Sequence, residues 1–221
     1  MRLPKKRTVL IALSAVVAVS LVYVLSLLLE AYRITPSVRE KAQMLEETGP
    51  RIQDLPVEWK AIILKVEDPG FYEHNGVDLS TPGAGLTTIT QGLAKSHFFH
   101  KFAPGLHAKL KQTLCAIVLD RELEKDLQLT LLLHTASLGP SKDGWVVGFS
   151  EAAHAYFGKE LSGLTRAEFI SLVAMLIGPV AYHPTKQPEA LADRVSRIDA
   201  LLAGRCEPVG LRDVYYEGCS Q

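Results

Sequence analysis

The stretch Val66-Glu67-Asp68-Pro69-Gly70-Phe71-Tyr72-Glu73-His74-Asn75-Gly76 gathers two adjacent carboxylates, two aromatic rings and a histidine within eleven residues. Before it, Trp59, Ile62, Ile63 and Val66 recur at three- and four-residue spacing. That period predicts a helix with one apolar face, started near Pro56 and broken at Pro69-Gly70. Glu67 and Asp68 therefore stand at the end of an apolar helix. Taken alone, the pair reads as ordinary solvated carboxylates.

Further along, Gly76 to Gly85 turns to Ser, Thr, Pro and Gly and reads as a loop. Thr87 to Lys95 looks like the start of a helix, and Ala108 to Asp126 like a long one with Leu110, Leu114, Ile117 and Val118 inward. Cys115 in that helix is read as a small core residue. Leu127 to Leu138 is apolar enough to be buried within the fold and too short to span a membrane. A loop at Gly144 follows, then helices over Ser150–Phe157, Thr165–Ile177 and Pro188–Ala203, with a Pro-rich turn before the last. No period-two strand is evident. The expected fold is mainly α.

In the other direction, Arg2, Lys5, Lys6 and Arg7 precede an uncharged apolar run from Thr8 to Leu29, closed by Glu30 and Arg33. At ~1.5 Å per residue the run reaches about 33 Å, enough to cross a hydrocarbon core. A cleaved signal peptide would have a shorter apolar region and a small-x-small site, which Leu27 to Ala31 does not offer. A single transmembrane helix is expected, with the basic side cytoplasmic and the chain from about Ala31 outside the inner membrane. The expected organisation is a basic tail over 1–7, an anchor over 8–29, a linker over 30–54, one domain over 55–203 and a tail over 204–221. Of 221 residues, 48% are hydrophobic and the formal net charge is zero, so nucleic-acid binding finds no support. In the tail, Cys206 and Cys219 suit either a disulfide loop in an oxidising compartment or two free thiols.

Four segments in order carry a family resemblance. Val66 to Gly76 resembles the E-D-x-x-F-x-x-H-x-G signature of the family 51 peptidoglycan glycosyltransferases. Gly85 to Lys95 resembles that family's G-G-S-T-I-T-Q-Q-x-x-K, and Lys109 to Asp120 its K-x-x-E-x-x-x-A-x-x-L-E. Ala152 to Lys159 resembles its A-A-x-x-Y-F-G-K. The resemblance runs over about Leu55 to Arg197 and implies a lysozyme-like glycosyltransferase domain with a small membrane-facing lobe. No S-x-x-K, S-x-N or K-T-G set occurs, so no transpeptidase domain is expected.

The resemblance implies a reaction in which the 4-hydroxyl of lipid II attacks a lipid-linked glycan with inversion, releasing polyprenyl pyrophosphate. It makes Glu67 the general base, and the preceding apolar helix would raise its pKa usefully. Asp68, Phe71 and His74 would shape the site. Lys95 and Lys109, with Thr88, Gln91 and Gln112, would serve substrate and leaving group. Thr88 is equally expected to cap a helix, and a capped helix start is also what an anion site uses. No metal ligand set is expected. A divalent cation (Mg or Mn) is the family's option, but the third motif's glutamate falls on Gln112, whose amide is a poor ligand for a hard cation. Gly92, Ser96, Thr130 and His134 also depart from the family's pattern, and the Asp78–Gly85 connection is short. His100 lies within, and His107 just after, the Phe-rich basic segment Phe98-Phe99-His100-Lys101-Phe102, which is expected to dip into lipid headgroups. The partners implied are lipid II, the growing lipid-linked glycan, the membrane and other cell-wall synthesis proteins. Two alternatives stand beside this reading. One is a weakened or inactive relative that binds precursor or scaffolds wall synthesis; the other is a lytic hydrolase, disfavoured by Lys95 and Lys109.

Overall fold

The computed structural model describes residues 6–219, so Arg2 and Lys5 of the basic cluster lie outside the described residues. Helix α1 runs unbroken from Lys6 to Thr48. Among the described residues it is the one helix long and apolar enough to cross a membrane, and its most apolar window is wholly unburied. The stretch from 30 onward, expected to lead away as a linker, continues this helix and docks. Leu27, Ala31, Thr35, Val38 and Ala42, spaced by three or four, form its buried stripe. They face α4 (Leu106–Glu122) and α5 (Lys125–Thr135). Lys111 reaches Glu30 at 2.7 Å, and Arg39 reaches the Glu122 carboxylate at 2.8 Å.

The remaining helices build a mainly α core, as expected. They are α2 (Val57–Glu67), α3 (Ile89–His97), α6 (Phe149–Phe157), α7 (Arg166–Met175) and α8 (Pro188–Leu202). Helix α7 is central: Phe169, Ile170, Leu172, Val173, Ala174 and Met175 are all buried, so it shows no single apolar stripe. Trp59 of α2 stacks on Phe169 at 4.3 Å between centroids, and Phe149 of α6 meets the same ring at 5.7 Å.

Three expectations need correction. The long helix ends at Glu122, and α5 begins separately at Lys125. On α4 the inward residues are Ala108, Gln112, Cys115, Ala116, Val118 and Leu119, while Ile117 is 42% exposed. A buried glutamine on the inner face set the apolar count out of phase. The apolar run to Leu138 also leaves α5 to form β1 (Ser137–Pro140), paired antiparallel with β2 (Trp145–Val147). Strands of three and four residues, irregular at Gly139, are too short to show a period of two.

The tail returns to the body of the molecule. Cys206 and Cys219 form a disulfide. The amides of Gly83 and Gly85 donate to the carbonyls of Gly210 and Leu211 at 3.0 and 2.7 Å.

Candidate active site

Glu67 is the last residue of α2 and lines a cleft of about 650 Å³. Thr87 and Thr88 at the start of α3, Lys95 and Ser96 farther along it, Thr135 of α5, Ser137 of β1, Arg194 of α8 and Tyr215 of the tail complete its polar lining. Burial is the main influence on Glu67 and raises its pKa to about 7; Arg194 acts against the rise and Asp68 adds to it. Such a carboxyl can accept a proton near neutrality, the property a general base needs.

Behind Glu67, Asp68 is fully buried and acts as a hub. Both its oxygens lie 3.0 Å from His74 Nε2, and Oδ2 accepts the Ile89 amide at 3.0 Å. The Gly76 amide donates to His74 Nδ1 at 3.0 Å. Nδ1 is therefore an acceptor, and Nε2 carries the ring proton and donates a hydrogen bond to the Asp68 carboxylate. Because Ile89 is the first residue of α3, the carboxylate also sits where the helix dipole favours an anion. Gly76 has φ +84°, and a Cβ there would meet the Ala116 carbonyl oxygen at 2.6 Å. Only glycine suits that turn.

Thr88 caps α3 in a reciprocal pair. Its Oγ1 accepts the Gln91 amide at 3.1 Å, and Gln91 Oε1 accepts the Thr88 amide at 3.2 Å. The Thr88 hydroxyl also donates to the Gly76 carbonyl at 2.8 Å. Gln112, buried on α4, donates its amide to the Gln91 carbonyl at 2.9 Å. Lys109 donates to the Leu86 carbonyl and has Thr87 Oγ1 at 3.4 Å and Gln91 Oε1 at 3.5 Å; burial lowers its pKa. Phe71 is buried, edge-on to His74, with Lys125 Nζ 4.5 Å from its ring centroid.

Of the residues singled out in the sequence, Glu67, Thr88 and Lys95 thus line the cleft. Asp68, Phe71, His74, Gln91, Lys109 and Gln112 stand behind its wall and hold it. Thr130 and His134 bond elsewhere, to the Ile52 amide at 3.4 Å and the Pro50 carbonyl at 3.1 Å, fixing the turn after α1. The sequence reading missed Arg194 and the tail. A local signal for Arg194 existed: Leu191, Arg194, Ile198 and Leu201 share a helical face, so one charge falls in an aliphatic stripe.

Among the described residues no group of three His, Cys, Asp or Glu side chains converges to hold a metal. The cleft lining offers one carboxylate, Glu67, beside two cations, Lys95 and Arg194. That donor set does not fit a hard divalent cation, which needs several oxygen ligands.

A family model described as Transglycosylase matches residues 36–202. Penicillin-binding protein 1F of Bacillus subtilis is 33% identical over 156 residues, covering 65% of this chain and 21% of its own length. Penicillin-binding protein 1B of Escherichia coli is 29% identical over 153 residues, covering 63% of this chain and 18% of its own. The chain therefore spans about a fifth of the length of these relatives.

Proposed function

This chain belongs to the transglycosylase family, and we propose that it is a peptidoglycan glycosyltransferase joining lipid II to a lipid-linked glycan. The observation that carries the proposal is Glu67, brought to a pKa of about 7 inside a cleft that also presents Lys95. Glu67 takes the proton of the attacking sugar hydroxyl. Lys95, on the same cleft wall as the capped start of α3, attracts the departing pyrophosphate as charge grows on it. No step is routed through a metal.

The membrane setting follows from α1. The helix is anchored in the inner membrane with its basic end cytoplasmic, and the domain lies outside, where the Cys206–Cys219 bridge is stable. The headgroup-facing segment is narrower than Phe98, Phe99 and Phe102 together, since Phe98 packs in the core. Leu106 is 89% exposed, and its neighbour His107 bonds Tyr23 in the apolar half of α1. That contact supports a reading in which the start of α4 lies close to the lipid.

The test is polymer formation by full-length protein in detergent with labelled lipid II, beside Glu67→Gln. Loss of the base is expected to lower the rate by about 10²–10⁴-fold. Polymer made equally well by Glu67→Gln would overturn the assignment. A second reading has its own observation: Gln112 is uncharged and buried against the Gln91 carbonyl, so no second carboxylate reaches the cleft. Lipid II retained without polymerisation by wild type would select a precursor-binding or scaffolding relative.

A further inference from the structure

Arg194 is 1% exposed, on a helix face otherwise made of leucine and isoleucine. A guanidinium is seldom buried without partners. Those of Arg194 are unusual. Nε donates to the Ala174 carbonyl and Nη1 to the Val214 carbonyl, each at 3.1 Å. The rings of Tyr182, Tyr216 and Tyr215 lie 5.3, 5.8 and 6.0 Å from its central carbon. All of these orient the group, and none neutralises it. Among the described residues no carboxylate lies within ion-pair distance, and none accepts from Nη2. The one carboxylate on the lining of the cleft that Arg194 shares is that of Glu67.

We propose that Arg194 is a positioning residue whose fixed charge keeps the Glu67 carboxylate ionised within a site that would otherwise neutralise it. The proposal rests on Glu67 being the base. The geometry explains why the two do not form a direct ion pair. A guanidinium hydrogen-bonded to the carboxylate would occupy the oxygens that must receive the proton and make them too weak a base. An arginine tied to two carbonyls supplies attraction at a distance and leaves those oxygens free.

The other groups facing Glu67 do not replace it. Asp68 opposes ionisation, and burial opposes it more. Lys95 lies elsewhere on the cleft lining, with its ammonium over the Phe102 ring at 4.9 Å. Tyr216 gives its hydroxyl hydrogen to the Val66 carbonyl. Tyr182 and Arg197 act on Arg194, and Asp213 on Tyr216.

The experiment measures kcat/KM on lipid II against pH for full-length wild type, Arg194→Lys and Arg194→Gln. In Arg194→Gln the acid limb is expected to move up by about one pH unit or more, an approximately tenfold loss near neutrality that alkaline pH recovers. Arg194→Lys, which keeps the charge, holds the limb near its wild-type position. A loss uniform across pH in Arg194→Gln would overturn the proposal. Thermal unfolding of wild type, Arg194→Gln, Glu67→Gln and the double variant tests it without turnover. In alkaline buffer the fall in Tm from Arg194→Gln should be smaller in the Glu67→Gln background; in acid the two falls should match. Equal falls in alkaline buffer would overturn the proposal. An Arg194→Gln chain that folds only alongside Glu67→Gln supports it, and one that folds in neither background overturns it. Absence of polymer from wild type sinks the glycosyltransferase reading, while the melts still decide whether the charges are coupled.

Discussion

Tyr216 donates its hydroxyl to the carbonyl of Val66 at 2.5 Å, across 150 positions of sequence. That carbonyl belongs to the peptide linking Val66 to Glu67, at a helix end where carbonyls lack intrahelical partners. The tail thus fastens the turn that carries Glu67. Tyr216→Phe leaves a buried acceptor unpaired and is expected to lower stability by about 1–3 kcal/mol. Denaturant unfolding with an unchanged midpoint would show that the bond contributes nothing.

Reduction should loosen the same region. The Cys206–Cys219 bridge closes a loop with a sequence separation of 13, for which chain entropy gives a stabilisation of roughly 3 kcal/mol. Unfolding with and without reductant should differ by about that amount. A thiol assay on denatured, unreduced protein should find Cys115 alone; a count of three would mean that the bridge is absent.

Glu67 is expected to oppose stability in its ionised form. Its pKa rises from 4.5 to about 7 on folding, so between those values the native state holds a proton that the unfolded chain has released. The contribution favours folding below the unfolded value and is lost as pH rises through about 7. Glu67→Gln should therefore raise Tm in alkaline buffer relative to wild type, by an amount worth at most on the order of 3 kcal/mol. Melts that shift equally at acid and alkaline pH would contradict this.

Gln112→Glu introduces the residue type that the motif resemblance implies but meets this chain's geometry. The amide now donates to the Gln91 carbonyl at 2.9 Å, and a carboxylate would turn an acceptor toward that oxygen. A loss of about 1–3 kcal/mol is expected at neutral pH, shrinking in acid as the carboxyl is protonated and can donate again. Stability unchanged at pH 8, with cation-dependent polymer, would mean that the new carboxylate swings into the cleft.

Much of the fold was legible because its helices carry local signals. Trp59, Ile62, Ile63 and Val66 are all buried as their spacing predicts, and Pro56 precedes the helix they form. Helix α8 begins at Pro188 as expected. Where the inner face is polar, as at Gln112, apolar counting lost its phase. Where strands are three or four residues long, it had nothing to count. The site was legible in the same uneven way. Glu67 and Lys95 could be placed by motif, but the motif did not distinguish side chains that line the cleft from Asp68, Gln91 and Gln112, which support it from behind.

By itself the sequence determined the helical class, the apolar N-terminal helix and the order of the segments that carry the family resemblance. These depend on local periodicity and residue type, which a linear chain displays. Tertiary structure alone decided that α1 continues past Leu29 to dock on α4 and α5, that Cys206 meets Cys219, that Arg194 lines the same cleft as Glu67, and that Tyr216 bonds the peptide of Glu67. Such pairings join residues up to 150 positions apart, and their energies come from burial and hydrogen bonds that exist only once the chain has closed on itself.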